Sequence, residues 1–242
     1  MNKYDTIIFD LDGTLLNSLE DLMDSVNYAL LQFGYSPISL EQTRQFVGNG
    51  VARLIELAIP GGLNNPDFNS CVSTFRDYYS QNMLNKTRPY EGIMPLLDEL
   101  SEEGYKMAIV SNKYDSAVKG LNKMYFDKYI YIAIGESEGV LRKPAPDTVI
   151  KAIEELGSCP ESTIYVGDSE VDVKTAKNAK IEMIGVTWGF RERNVLEKEG
   201  ATYIIDKPGE LPEILQKLSS SLNAGNQLIE SGCDCMKNYH ML

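Results

Sequence analysis

The stretch that decides the fold is Thr6-Ile7-Ile8-Phe9-Asp10-Leu11-Asp12-Gly13-Thr14. Its first four residues are β-branched or aromatic and carry no charge, which predicts a strand buried on both faces inside a parallel sheet. Asp10 and Asp12 follow, and alternation along an extended chain puts both on one side, at the sheet edge where open α/β proteins bind ligands. Adjacent carboxylates repel each other, so the pattern predicts a bound cation, most naturally Mg²⁺; two aspartates in a solvated turn are the alternative.

The composition narrows the class of protein. The chain has 242 residues and a formal net charge of −12, with a pI near 4.6, which argues against a surface that binds nucleic acid. No apolar run approaches the ~20 residues needed to cross a bilayer, and the first predicted strand leaves no room for a signal peptide. The four cysteines follow no disulfide-framework spacing. We therefore expect a soluble, cytoplasmic protein with reduced thiols and with no membrane or nucleic-acid partner.

Hydrophobic periodicity divides the chain into three parts. Residues 17–85 show only helical spacing, with capping-box-like starts at Ser18 and Ser39. From Pro89 onward strands and helices alternate, which predicts βαβ units and a parallel sheet. Periodicity is lost again near the carboxyl terminus. We predict an α/β catalytic core of residues 1–16 and 86–218, an inserted helical domain of residues 17–85, and a flexible tail of residues 219–242.

Polar residues also stand at the ends of later strands. Ser111 and Asn112 follow a predicted strand over residues 107–110, and a hydroxyl beside free backbone N–H groups can hold a phosphoryl oxygen. Lys143 precedes Pro144, which favours an extended conformation and fixes a point charge suited to phosphate. Taken alone, the serine is typical of a turn or helix cap and the lysine of a surface loop.

A second pair of acids, Asp168 and Asp172, follows the predicted strand over residues 164–166. A helix beginning near Ser169 puts these two carboxylates one turn apart, so both can face one cation. Acids favoured by the positive end of a helix are the alternative explanation. Because an acid pair, a serine, a lysine and a second acid pair stand at successive strand ends of one sheet, we predict a single site.

Four motifs resemble, in order and character, those of the haloacid dehalogenase-like phosphatases. The resemblance covers residues 4–218 and includes the insertion point of a helical cap. It implies a Rossmann-like parallel sheet core with an inserted α-helical cap, and a phosphatase that acts on a small phosphorylated metabolite. The motifs are Asp10-Leu11-Asp12-Gly13-Thr14, Ser111-Asn112, Lys143-Pro144 and Gly167-Asp168-Ser169-x-x-Asp172.

The resemblance also implies roles for these residues. Asp10 would be the nucleophile that forms an aspartyl phosphate, and Asp12 the general acid and then the general base. Mg²⁺ would be held by Asp10, the backbone carbonyl of Asp12 and Asp168, with Asp172 orienting a metal-bound water or binding behind the ligands. The groups that would bind the phosphoryl oxygens are Ser111, a backbone N–H near Asn112, and Lys143.

Four further stretches, residues 46–54, 89–92, 186–190 and 200–211, resemble the phosphoglycolate phosphatase branch of this family. They imply hydrolysis of 2-phosphoglycolate to glycolate and phosphate by a monomer or homodimer. The alternatives are an inorganic pyrophosphatase and a broad sugar-phosphate or nucleotide phosphatase. A non-catalytic protein of this fold would be expected to lack at least one of the motif acids or the lysine, and all are present.

The inserted segment holds the candidates for substrate recognition. Gly48, Asn49 and Gly50 precede a helix, where free backbone N–H groups suit a small carboxylate, although an ordinary turn between helices has the same pattern. Arg53 is a candidate partner for that carboxylate, or else a solvated helix residue. In the tail, Cys233, Cys235 and His240 differ in spacing from structural zinc sites, so no zinc site is expected there.

Overall fold

The computed structural model describes residues 3–225. The strands in this range are β1 (Thr6–Phe9), β2 (Leu16–Asn17), β3 (Arg88–Pro89), β4 (Lys106–Tyr114), β5 (Ile132–Glu136), β6 (Thr163–Gly167), β7 (Glu182–Val186) and β8 (Tyr203–Ile205). The helices are α1 (Leu19–Gln32), α2 (Leu40–Phe46), α3 (Gly50–Ala58), α4 (Phe68–Asn82), α5 (Ile93–Glu102), α6 (Asp115–Tyr125), α7 (Asp147–Glu155), α8 (Glu170–Ala179), α9 (Arg193–Glu199) and α10 (Glu210–Gly225). None of these helices combines the length and apolar character that a membrane span requires.

Six strands pair in parallel in the order β5-β4-β1-β6-β7-β8, which confirms the predicted parallel α/β sheet. β1 lies between β4 and β6, and the chain builds outward from it in both directions. Such a change of direction leaves a crevice at the carboxyl ends of the central strands, where α/β proteins bind ligands. The residues at the carboxyl ends of β1, β4 and β6 are therefore brought to one place.

The strand β1 is buried on both faces, as its apolar run predicts. Ile7 belongs to a hydrophobic cluster with residues of α5, α6 and α10, whereas Ile8 belongs to a second cluster with residues of α7 and α8. Both side chains are completely buried. Burial of one such side chain stabilises the fold by about 1.5–3 kcal/mol, so β1 anchors the site between two packed layers.

Helices α1 to α4 lie between β2 and β3 in the chain, and we call them the helical insert. β2 and β3 pair antiparallel, so the chain leaves and re-enters the α/β part at adjacent points. The insert has its own hydrophobic cluster, which includes Leu30, Ile55 and Phe75. Ala117 and Phe190 of the α/β part join this cluster, so the insert packs against the carboxyl edge of the sheet.

Two local predictions differ from the structure. The strand predicted over residues 107–110 extends through Tyr114, because β5 continues to pair with it as far as Glu136, so Ser111 and Asn112 lie within β4. The helix periodicity predicted to end at residue 218 continues in α10 to Gly225. Residues 219–225, predicted to belong to the tail, are therefore helical. The rest of that predicted tail, with Cys233, Cys235 and His240, lies outside the described residues.

Both predicted helix starts are confirmed, because Ser18 and Ser39 immediately precede α1 and α2. The capping-box hydrogen bonds are present between Ser39 and Gln42, but the Ser18 side chain makes no capping hydrogen bond. The Ser18 hydroxyl donates instead to the Asp12 carboxylate. Asp21 accepts hydrogen bonds from the backbone N–H and the hydroxyl of Thr87, each at 2.8 Å. Leaving a buried carboxylate without hydrogen-bond donors costs more free energy than leaving a helix end uncapped. These contacts with residues distant in sequence therefore replace the local cap.

Candidate active site

Three carboxylates meet at the carboxyl ends of β1 and β6. Asp10 follows β1, Asp168 follows β6, and Asp172 lies in the first turn of α8. All three are buried, and one carboxylate oxygen of each lies within 4.8 Å of the other two. The predicted α8 start at Ser169 is confirmed, and the Ser169 hydroxyl donates to Asp172 Oδ2 at 2.6 Å.

Two carboxyl groups of the acid cluster, which consists of Asp10, Asp168 and Asp172, have raised pKa values. Burial raises the pKa of Asp10 to about 7, with the Asp172 charge adding to it and Lys143 opposing it. Burial also raises the pKa of Asp168 well above its ordinary value, and the charges of Asp172 and Asp10 act in the same direction. A divalent cation would relieve both effects, since an opposite charge favours the ionised carboxylates. Buried carboxylate oxygens alone form the donor set that suits a hard cation such as Mg²⁺, so these residues fit that ion.

Two glycines leave the space that Asp168 occupies. A Cβ added at Gly13 or Gly189 would overlap the Asp168 side chain, and at Gly189 it would also overlap the carbonyl oxygen of Gly13. Gly13 has a φ of +94°, which only glycine adopts readily. The first motif and the Trp188-Gly189-Phe190 stretch therefore form one closely packed wall around this acid.

Gly189→Ala should lower the free energy of unfolding by about 1–3 kcal/mol and reduce activity, because the added methyl group displaces Asp168 or the Gly13 backbone. Urea denaturation and initial rates measure the two effects. Gly209→Ala is the matched control, since a Cβ there meets nothing within 4 Å. Equal stability of the two variants would contradict the crowding at Gly189.

Lys143 connects the acid cluster to the sheet. Its buried ammonium donates to Asp10 Oδ1 at 2.6 Å, Asp172 Oδ1 at 2.8 Å and the hydroxyl of Tyr165 at 3.0 Å. Burial alone would favour the neutral amine, but the Asp10 and Asp172 carboxylates raise the pKa of Lys143 well above its ordinary value. Lys143 is therefore a fixed positive charge beside Asp10, where it can bind a phosphoryl oxygen.

The two motif residues of β4 have different surroundings. Ser111 is buried beside the acid cluster, and its hydroxyl accepts from the backbone N–H of Lys113 at 3.2 Å. The side-chain amide of Asn112 donates to the carbonyl oxygens of Gly48 at 3.0 Å and Lys143 at 2.9 Å. Ser111 thus retains a hydroxyl proton that it can donate to a ligand, whereas Asn112 ties the insert and the lysine segment to β4.

Asp12 lies farther out than Asp10 and faces the helical insert. Its carboxylate pairs with Lys113 Nζ at 2.9 Å and accepts from the Ser18 hydroxyl. The Lys113 ammonium also donates to the hydroxyl of Tyr79, in α4, at 3.0 Å. The two carboxylates of the first motif therefore have different partners, Lys143 for Asp10 and Lys113 for Asp12, and can have different roles.

A cleft between the insert and the strand ends joins these groups. Its floor contains the acids, Ser111 and both lysines, and its roof is mostly apolar. Of the predicted recognition residues, Gly48 and Gly50 line the cleft, whereas Asn49 and Arg53 do not. The lining residues are Asp10, Asp12, Leu22, Val47, Gly48, Gly50, Val51, Leu54, Phe75, Tyr79, Ser111, Asn112, Lys113, Tyr114, Lys143, Asp168, Ser169, Asp172, Phe190 and Arg191.

Arg53 is half-exposed on α3 and pairs with Glu56 at 2.7 Å, one helical turn away. The structure thus supports its alternative interpretation as a solvated helix residue. Gly48 and Gly50 have φ values of +113° and +80°, so this turn depends on glycine. α3 begins at Gly50, which lines the cleft. The N-terminus of this helix is therefore beside the cleft, the position that an anion site made of backbone N–H groups needs.

Sequence reasoning missed two cations of the cleft, Lys113 and Arg191. Arg191 donates to Glu170 at 2.9 Å and to the carbonyl oxygens of Arg44 and Val47 at 2.7 and 2.8 Å. The adjacent backbone N–H of Phe190 donates to Asp168 Oδ2 at 2.6 Å. One short loop therefore contacts both the acid cluster and the insert, which no local pattern indicates.

Comparisons with known proteins agree with this geometry. The sequence profile of the haloacid dehalogenase-like hydrolases matches residues 7–186. The phosphoglycolate phosphatase of Pseudomonas putida is 32% identical over 206 residues, 83% of this chain and 75% of that protein. A protein of Caldanaerobacter subterraneus, provisionally named a pyrophosphatase, is 29% identical over 216 residues, 88% of this chain and 96% of that protein.

A solved structure from Lactobacillus delbrueckii subsp. bulgaricus is 35% identical and superimposes with a TM-score of 0.83, covering 88% of this chain and 98% of that chain. The fold, the motifs and the sequence similarity thus agree over most of the chain. The chain belongs to the haloacid dehalogenase-like hydrolases and is a phosphatase of their phosphoglycolate phosphatase-like branch.

Proposed function

We propose that the protein is a Mg²⁺-dependent phosphomonoesterase that hydrolyses 2-phosphoglycolate through an aspartyl phosphate on Asp10. The observation that carries the proposal is the convergence of two carboxylates with separate partners, Asp10 beside Lys143 and Asp12 beside Lys113, on one cleft. The similarity to a named phosphoglycolate phosphatase over 83% of the chain supports this substrate.

In the first step an Asp10 carboxylate oxygen attacks phosphorus, and the bond from phosphorus to the leaving oxygen breaks. Asp12 gives its proton to that oxygen, so glycolate leaves as an alcohol. In the second step Asp12 takes a proton from water as the water attacks phosphorus. The bond from phosphorus to Asp10 then breaks, which releases phosphate, restores the Asp10 carboxylate and leaves Asp12 protonated for the next turnover.

The remaining groups bind and orient the phosphoryl group. Lys143 and the Ser111 hydroxyl bind its oxygens, and phosphoryl transfer depends mainly on such positioning and charge neutralisation. Mg²⁺ bound by Asp10, Asp168 and the Asp12 carbonyl, with Asp172 behind them, would neutralise negative charge as the phosphoryl group transfers. The helical insert acts as a cap whose apolar roof excludes water.

The substrate is tested by initial rates on 2-phosphoglycolate, pyrophosphate, glucose 6-phosphate and a nucleoside monophosphate, each with Mg²⁺. We expect the highest kcat/KM with 2-phosphoglycolate. A higher value for pyrophosphate would favour the second candidate, an inorganic pyrophosphatase, which the similarity to the Caldanaerobacter protein supports. Equal rates on all four would indicate a broad phosphatase.

Chelation by EDTA should abolish hydrolysis, and added Mg²⁺ should restore it. Independently of activity, Mg²⁺ should raise the Tm, because a ligand that binds only the folded state stabilises it. Asp168→Asn should remove most of this increase, whereas the exposed Asp127→Asn should retain it. Full activity in excess chelator, or an equal rise in Tm for both variants, would exclude the proposed metal site.

A further inference from the structure

Lys113 is a buried cation to which the mechanism above gives no chemical step. It lies near the end of β4 and is only 7% exposed. Within residues 3–225 its ammonium contacts the Asp12 carboxylate and the Tyr79 hydroxyl. An ammonium has three N–H bonds, so one of the three remains for a ligand in the cleft.

The other cations of the cleft are already engaged. Among the described lining residues these are Lys143 and Arg191. Lys143, held by Asp10, Asp172 and Tyr165, is the cation already assigned to the phosphoryl oxygens. Arg191 is held by a glutamate and two backbone carbonyl oxygens of the insert side. Among the described lining residues, Lys113 is therefore the cation that has an N–H group available for a further ligand.

The position of Lys113 suits the far end of a short substrate. Lys113 follows Ser111 by two residues on β4, as Asp12 follows Asp10 by two residues after β1. Asp12 is the group that protonates the leaving oxygen in the proposed function, and the Lys113 ammonium lies 2.9 Å from its carboxylate, on the leaving-group side of the phosphoryl site. In 2-phosphoglycolate one carbon atom separates the ester oxygen from the carboxylate, so the carboxylate comes close to this ammonium.

Tyr79 fixes the ammonium from the side of the insert. Its ring is fully buried and stacks on Phe75 with centroids 5.5 Å apart. Lys113 Nζ lies 4.6 Å from the ring centroid as well as 3.0 Å from the hydroxyl, which favours the charged amine. A side chain of the inserted helices thus orients a charge of the sheet.

We propose that Lys113, oriented by Tyr79, binds the second anionic group of the substrate, the carboxylate of 2-phosphoglycolate. This assignment rests on the proposed function. It identifies the substrate class as phosphate monoesters of small hydroxy acids, and it replaces Arg53 as the cation for the carboxylate. Lys113 is a binding residue in this assignment, and Tyr79 is a positioning residue.

The test compares Lys113→Met with the parent on two substrates of similar size, 2-phosphoglycolate and ethyl phosphate. We expect kcat/KM for 2-phosphoglycolate to fall roughly 10- to 100-fold more than that for ethyl phosphate, since only the first substrate loses a charged hydrogen bond. Lys119→Met is the matched control, because Lys119 is an exposed lysine paired with Asp115 at 2.6 Å outside the cleft. It should leave both values unchanged.

A second readout does not depend on turnover. 3-Phosphonopropionate keeps the carboxylate and replaces the ester oxygen by a methylene group, and propylphosphonate lacks the carboxylate. Lys113→Met should weaken inhibition by the first compound at least tenfold and inhibition by the second much less. Tyr79→Phe keeps the buried ring and should raise KM for 2-phosphoglycolate with little change in kcat, as expected of a positioning residue.

The outcomes separate this assignment from the proposed function. If the parent prefers 2-phosphoglycolate and Lys113→Met loses both substrates equally, the function stands and Lys113 serves only to hold Asp12. If the parent does not hydrolyse 2-phosphoglycolate, the proposed substrate is wrong. The assignment of Lys113 is then tested only by inhibition with the two phosphonates. Unchanged inhibition by 3-phosphonopropionate in a folded Lys113→Met protein would overturn the assignment.

Discussion

Asp10→Asn should reduce turnover of 2-phosphoglycolate by roughly 10⁴-fold or more while the protein remains folded. The amide keeps the shape of the carboxylate, but its oxygen is too weak a nucleophile to form the covalent intermediate. The substitution should be tolerated because burial already raises the pKa of Asp10 to about 7, so a neutral side chain suits this position. Lys143 keeps its contact with Asp172 at 2.8 Å.

The measurement is kcat/KM on 2-phosphoglycolate together with thermal unfolding. Intact-protein mass spectrometry after rapid acid quenching should find a phosphorylated parent and no phosphorylated Asp10→Asn protein. The exposed Asp127→Asn gives the same loss of one charge away from the site and should behave as the parent. An Asp10→Asn protein that is folded and retains activity within tenfold of the parent would exclude Asp10 as the nucleophile.

The sheet could be predicted from sequence because its central strand carries a simple signal. An uncharged β-branched run buries both faces of β1, and the alternation of strands and helices fixes the neighbours in parallel. The same topology explains why the motif residues could be grouped. Residues at the carboxyl ends of β1, β4 and β6 must meet at the point where the strand order changes direction.

Side-chain partners were less predictable, because they depend on contacts distant in sequence. Ser18 has a local capping pattern, yet its hydroxyl serves Asp12 on another segment. Arg53 precedes Glu56 by three residues and is satisfied on its own helix rather than in the cleft. A pattern of residue types does not specify which of several available partners a polar side chain takes.

Lys113 illustrates the same limit at the site itself. The apolar run of β4 ends at Val110, which led to a predicted strand end, but pairing with β5 extends the strand to Tyr114. The extension brings Lys113 against Asp12, and Tyr79 reaches it from α4, 34 residues earlier in the chain. A charged residue two positions after a motif serine is the one signal that the sequence offered.

Asp12→Asn should lower the rate of the first chemical step with 2-phosphoglycolate by about 10²–10⁴-fold, the usual contribution of a general acid or base. The size of the loss should depend on the leaving group. Glycolate leaves as a poorly stabilised alkoxide unless it is protonated, whereas p-nitrophenolate is stable without a proton. Single-turnover formation of the phosphorylated protein should therefore suffer much less with p-nitrophenyl phosphate.

The structure suggests a control for the alternative that Asp12 serves only to position its neighbours. The Asp12 carboxylate accepts from Ser18 and pairs with Lys113 at 2.9 Å, so Asp12→Asn also disturbs these two groups. Ser18→Ala removes one of the same contacts and keeps the carboxylate, and it should slow both substrates by a similar small factor. If Asp12 is the proton donor, Asp12→Asn should slow phosphoryl transfer more with 2-phosphoglycolate than with p-nitrophenyl phosphate. Equal losses of phosphoryl transfer with both substrates in Asp12→Asn would mean that Asp12 positions Lys113 and the metal-binding backbone and transfers no proton to the leaving group.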